Sequence, residues 1–117
     1  MKAILIDAFN KTVKELKLND KKDMLDQWYY ALKADMVETA YYITDQDSIL
    51  VDEEGLLKPC DHFFTYKGAH QPFAGNGLIV GVDEEGETVD CVITLEEVEQ
   101  NVDFISRDEI LKSLYNG

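Results

Sequence analysis

Cysteine is scarce in this chain: Cys60 and Cys91 are the only two in 117 residues. That excludes a secreted disulfide scaffold, which in a small domain is held by several bridges. Both thiols are expected reduced. Long hydrophobic runs are missing too, and none approaches the ~18 apolar residues a membrane helix needs. The opening Met1-Lys2-Ala3-Ile4-Leu5-Ile6-Asp7 carries one base and a short apolar run that Asp7 interrupts, unlike a signal peptide. A cytoplasmic protein without membrane contact is expected. Positive charge is the third shortage, with 11 bases against 24 acids and a net charge of −13. The imbalance is uneven. Residues 1–33 hold seven lysines and five acids, a net +2, whereas residues 34–117 hold four bases and 19 acids, a net −15. Such a field repels nucleic-acid phosphates and favours encounter with basic partners. The aromatic residues are not interleaved with bases, which further argues against a nucleic-acid platform.

Apolar residues are plentiful, at 45%, enough for one core in a chain of single-domain length. The predicted fold class is α+β: an antiparallel or mixed sheet of about five to seven short strands, with two or three helices packed on one face. Residues 2–18 read as an opening β-hairpin turning at Asn10-Lys11. A helix is predicted over 20–33, capped by Asn19 or Asp20. Met24, Leu25, Trp28, Tyr29 and Leu32 form its apolar stripe at spacings of three and four. Residues 36–93 read as a sheet. Within it, Lys67–Gly77 is the one long loop, Leu78–Val82 a central strand and Glu87–Ile93 its hairpin partner. Thr94-Leu95-Glu96-Glu97 and Ser106-Arg107-Asp108-Glu109 match capping boxes, which predict helices over 94–101 and 106–115. A short strand at Val102–Ile105 separates them, and the last helix turns Ile110, Leu111, Leu114 and Tyr115 inward. The pentad Val-Asp-Glu-Glu-Gly occurs twice, at 51–55 and 82–86. Its flanks differ, so shared turn chemistry is the expected cause, with a glycine of positive φ closing each turn.

Potential ligands gather in one place, where Cys60, Asp61 and His62 precede His70 by a few residues. Cys60, His62 and His70 could supply three zinc ligands, but Cys-x-His is not a standard pair spacing and the fourth ligand would have to be Cys91 or a carboxylate, so no metal site is assigned. A cysteine nucleophile is disfavoured, because side chains two apart on a strand are normally too distant for the short hydrogen bond it needs. Asp45, Asp47, Asp52, Glu53 and Glu54 crowd one stretch. They miss the calcium-loop pattern, with Ile49 at its fifth position and Leu56 at its twelfth, and read as a solvated acidic turn. Gly75-Asn76-Gly77 precedes a strand rather than a helix, so it is no dinucleotide fingerprint. Asp7 stands out as an acid in an apolar context, with a turn or capping role expected.

Several stretches taken together resemble a family of short, uncharacterised proteins of bacteriophages and mobile elements. They are Met1–Asp7 with Thr12-Val13, Ile49–Leu57, Phe63-Phe64, Pro72–Gly81, and Asp83–Val89 before Phe104. The resemblance runs to about Ile105, and the terminal helix reads as an addition. It implies a phage or prophage setting and a host-cytoplasm location, and it carries over no catalytic residues.

These readings point to a non-enzymatic accessory protein without a cofactor that works by binding a protein partner. A homodimer is left open. The interaction residues expected are Glu84, Glu85, Glu87, Glu96, Glu97 and Glu99. One alternative is a binder of a small ligand or nucleotide derivative that uses the 67–81 loop through His62, His70, Gly75, Asn76 and Gly77. A second is a metal-assisted hydrolase around Cys60, His62 and His70.

Overall fold

The computed structural model describes residues 1–116, and the side chains of residues 1–113. The opening hairpin forms as its sequence predicts, with strand β1 (Lys2–Asp7) paired to β2 (Thr12–Lys17). Asp7 sets the turn. Its carboxylate accepts the amides of Phe9 and Asn10, each at 3.1 Å, and the Asn10 side-chain amide at 2.7 Å. Helix α1 (Met24–Leu32) starts later than its periodicity predicts. Asn19 does not cap it. The Asn19 side chain instead accepts the Lys21 amide and its carbonyl accepts the Lys22 amide, making a local turn. The cap is Asp23, which accepts the Asp26 amide at 3.1 Å.

Strands β3 (Val37–Tyr42) and β4 (Asp47–Asp52) form a second hairpin. A single 3-10 turn (Gly55–Leu57) leads towards β5 (His62–Tyr66). The two-residue strand β6 (Phe73–Ala74) breaks the expected long loop. Strand β7 (Gly77–Val82) is central, in the order β2-β1-β7-β4-β3, and every pairing is antiparallel. Strand β8 (Thr88–Val89) joins the far end of β7 and is shorter than predicted. Helix α2 (Leu95–Asn101), strand β9 (Val102–Ser106) and helix α3 (Arg107–Asn116) complete the chain. Both capping boxes form. Thr94 accepts the Glu97 amide, and Ser106 exchanges hydrogen bonds with Glu109.

Strands β5, β6 and β9 do not join the main sheet but form their own, in the order β6-β5-β9. The result is a layered molecule with two cores, because side chains alternate across a strand. One face of the main sheet presents Ile4, Ile6, Ile49, Val51 and Ile79 to Phe64, Tyr66 and Phe73 of the small sheet and to Val98 of α2. The other face presents Ala3, Leu50, Leu78 and Val80 to Leu32 of α1, with Trp28 and Met24 packed alongside. The helices therefore cover opposite faces, not one. Phe64 is fully buried at the heart of the first core. Truncating such a residue to alanine typically costs about 3–5 kcal/mol. The indole nitrogen of Trp28 is buried in the second layer without an acceptor.

Some sequence expectations shift. Leu25 of α1 and Leu111 of α3 are largely exposed, and Ile110 is half-buried. Helix α3 follows β9 without a loop and packs chiefly on it, at the margin of the small sheet, so its stripe has little to cover. Leu114 and Tyr115 lie outside the residues whose side chains are described. The twin pentads share an opening but not an ending. Asp52 accepts the Glu54 amide just as Asp83 accepts that of Glu85. Gly86 then takes φ +84°, while Gly55 stays out of the left-handed region, packed against Ala74. No helix among the described residues is long and apolar enough to cross a membrane.

Candidate functional site

The cysteine–histidine corner resolves into separate local roles. The Cys60 thiol donates to the His62 carbonyl at 3.0 Å, and the Cys60 carbonyl accepts from Arg107 Nε at 3.0 Å. The His62 ring packs against Phe9 with centroids 4.8 Å apart, and the Lys33 ammonium stands over the Phe9 ring, 5.4 Å from its centroid. His70 is exposed in the connection before β6. Among the described residues, no group of three or more histidine, cysteine or acidic side chains is placed to hold a metal ion, so Cys60, His62 and His70 are not gathered as a ligand set.

The glycine loop acts on the backbone. Gly75 takes φ +77°, which glycine adopts without strain, and donates its amide to the His62 carbonyl at 2.9 Å. Asn76 is buried, and its side-chain oxygen accepts the Ala8 amide at 3.0 Å. It thereby ties the turn after β1 to the start of β7. Gly77 lies against Phe64, leaving no space for a larger side chain.

Sequence reasoning missed Asp47. It belongs to the acidic stretch read as solvated, yet it is 0% exposed. Its carboxylate accepts the Val92 amide at 3.0 Å and the Ile93 amide at 2.7 Å. After β8 the chain is held first by Lys2, which bonds to Asp90 and Cys91, and then by Asp47, just ahead of α2. Asp52 departs from the solvated reading as well, since it is half-buried and paired with Lys58 at 2.8 Å. Beside Asp47, burial pushes the Cys91 thiol up to about 11, with the neighbouring carboxylate adding to the shift. That thiol is a packing group, not a nucleophile.

An open concavity lies elsewhere, between α1 and the opening hairpin. Its floor follows from register. Leu5 stands opposite Lys14 and Ala3 opposite Leu16, so Lys14 and Leu16 share the sheet face that α1 packs on. A helix is about 10–12 Å across, and five strands spaced by about 4.8 Å span roughly 20 Å, so one helix cannot cover the face. Helix α1 sits mainly over β7. The uncovered part becomes an open groove of about 790 Å³. Leu5, Leu16, Leu18 and Ala31 give it an apolar floor, and Tyr30 stands on its rim with 88% of its surface exposed. Lys14, Lys17, Lys22 and Lys33 line it as well.

The rim is held by hydrogen bonds within the chain. Gln27 accepts the Asn19 amide and donates to the Asn19 carbonyl, each at 2.8 Å, fixing the loop that carries Lys22. Asp7 and Asp23 also line the groove, but both are already engaged, in the β1 turn and at the α1 cap. Burial would raise the Asp7 pKa, yet the Asn10 side chain, the amides of Asn10 and Phe9 and the charge of Lys33 together hold it below the ordinary value.

The six candidate glutamates are exposed. Glu84, Glu85 and Glu87 sit at the β7–β8 turn, and Glu96, Glu97 and Glu99 on α2. Among the described residues two ion pairs form, Lys58–Asp52 and Arg107–Asp61, and none of these glutamates or groove lysines takes part. No curated protein and no solved structure matches the chain. A family model does match residues 1–105, ending just where α3 begins to be prepared by the Ser106 cap. The chain accordingly belongs to the family described as a domain of unknown function, DUF3846.

Proposed function

We propose that this protein is a non-catalytic accessory protein that docks its acidic surface onto a basic protein partner. The supporting observation is uncompensated charge. Of 24 acids, Asp52 and Asp61 alone enter ion pairs among the described residues, and the net charge is −13. Carboxylates left free in this way keep their long-range field available for steering a basic partner. The polar and sulfur groups Cys60, His62, Asn76, Asp47 and Cys91 are committed to backbone contacts or packing. The resemblance of the opening strand and the Pro72–Gly81 segment to phage and mobile-element proteins adds a setting. In the cytoplasm of a bacterial host, an acidic surface can compete with nucleic acid for a basic host protein.

The test is affinity capture from bacterial lysate on the immobilised chain, eluted with a salt gradient. A basic protein should bind at low ionic strength and be released by about 0.5 M salt, where screening shortens the reach of charge to a few ångströms. Replacing Glu84, Glu85 and Glu87 with lysine should weaken capture at least about tenfold. Capture that ignores both salt and the reversals would remove the reading.

A further inference from the structure

We propose that the groove between α1 and the β1–β2 hairpin is a nucleotide-binding site, taking a flat heterocyclic ring on its apolar side and phosphate on its lysines. This assignment concerns a different face from the docking glutamates and stands independently of that reading.

Three features converge there. The first is shape joined to apolar character. A cavity of about 790 Å³ lies within the range of small-molecule sites, and Leu5 and Leu18 in its floor are almost fully buried. The second is Tyr30. A tyrosine ring 88% exposed beside an apolar floor is a surface on which a heterocycle gains contact at little ordering cost, since the ring has few rotatable bonds. The third is charge. Three of the chain's 11 bases, Lys14, Lys22 and Lys33, line this groove in a protein of net −13, and none forms an ion pair; Lys17 borders it too, but the register turns its side chain, with that of Lys2, to the opposite face of the sheet. Unpaired lysines on an acidic molecule are poised for an anion brought from outside.

Asp7, Asp23 and Asp26 line the groove as well and keep their negative charge; Asp7 and Asp23 direct it at backbone amides of the β1 turn and the α1 cap, so an anion is met by Lys14 and Lys22, and Asp26 is left to accept a sugar hydroxyl. The size of the anion is limited by the rest of the molecule. A long nucleic acid would run its phosphates into the surrounding negative field, whereas a mononucleotide keeps its charge within about one Debye length of the lysines.

Isothermal titration of the full chain tests this with four probes: the ribonucleoside triphosphates, adenosine, inorganic tripolyphosphate and a ten-nucleotide single strand. At least one triphosphate should bind saturably, at least about tenfold tighter than either adenosine or tripolyphosphate, because ring and phosphates are read together. The double variant Lys14→Glu/Lys22→Glu should lose at least about tenfold, and Tyr30→Ala several-fold, with circular dichroism unchanged because all three side chains are exposed. Tripolyphosphate binding as tightly as the triphosphates would overturn the site, leaving a bare lysine patch. A strand that outcompetes mononucleotides, triphosphate binding indifferent to both variants, or no saturation at millimolar concentration would overturn it too.

Discussion

Asp47 is fully buried, and its carboxylate links the start of β4 to the chain that runs from β8 to α2. Burying a carboxylate is costly, and the cost is offset here because its two oxygens satisfy the amides of Val92 and Ile93 at the point where the chain leaves the sheet. In Asp47→Ala those amides lose their acceptor, and the variant is expected to be about 2–4 kcal/mol less stable in urea denaturation. Asp47→Asn keeps one oxygen acceptor and should lose less. The residue was legible in principle. In Asp47-Ser48-Ile49-Leu50-Val51 the alternation puts Asp47 on the same side as Ile49 and Val51, both core residues. Its place in a run of acids pointed the other way, and charge composition says nothing about which member of a cluster turns inward. Asp7, an acid in an apolar context, was legible for the opposite reason. Its neighbours marked it out, and the turn role expected of it is the one it has.

The small sheet illustrates what local pattern withholds. Strand β5 pairs with β9 some forty residues away, His62 opposite Ser106, and with the two-residue β6. Alternation identifies a strand and its inner face, but not which strand lies beside it. Two residues such as Phe73 and Ala74 are too few to show a period at all. The opening hairpin and both capping boxes were legible because each is closed by residues within a few positions of one another. The groove was not, being the part of a sheet face that a single helix is too narrow to cover. At the seam between the two sheets, Gly77 is expected to be intolerant of substitution. A β-carbon there would stand 2.6 Å from Phe64 Cζ and 3.3 Å from Ile49 Cγ2, and the fully buried Phe64 has nowhere to retreat. Gly77→Ala should lower the urea midpoint by an amount equivalent to about 1–3 kcal/mol without changing the slope of the transition.

At the scale of the whole molecule, charge is distributed without internal compensation. Twenty-four acids, 11 bases and two ion pairs among the described residues leave a folded chain that repels itself. Raising monovalent salt from about 10 to about 150 mM at neutral pH should therefore raise the thermal midpoint by a few degrees, equivalent to about 1 kcal/mol. A midpoint that falls with added salt would mean that attractive pairs dominate after all. The same asymmetry sets two surfaces apart: lysines concentrate around the first hairpin and α1, and acids crowd the β7–β8 turn and α2.

The chain contains one tryptophan, and Trp28 lies in the α1 layer with its indole nitrogen shut away from water. Tyr66 and the phenylalanines of the small sheet occupy the other core. Nature has thus labelled one half of this molecule with its own fluorophore. Excited at wavelengths longer than tyrosine absorbs, that indole alone emits, and its emission follows the loosening of the helix from the sheet, so the parting of this half can be timed against global unfolding in an unmodified protein.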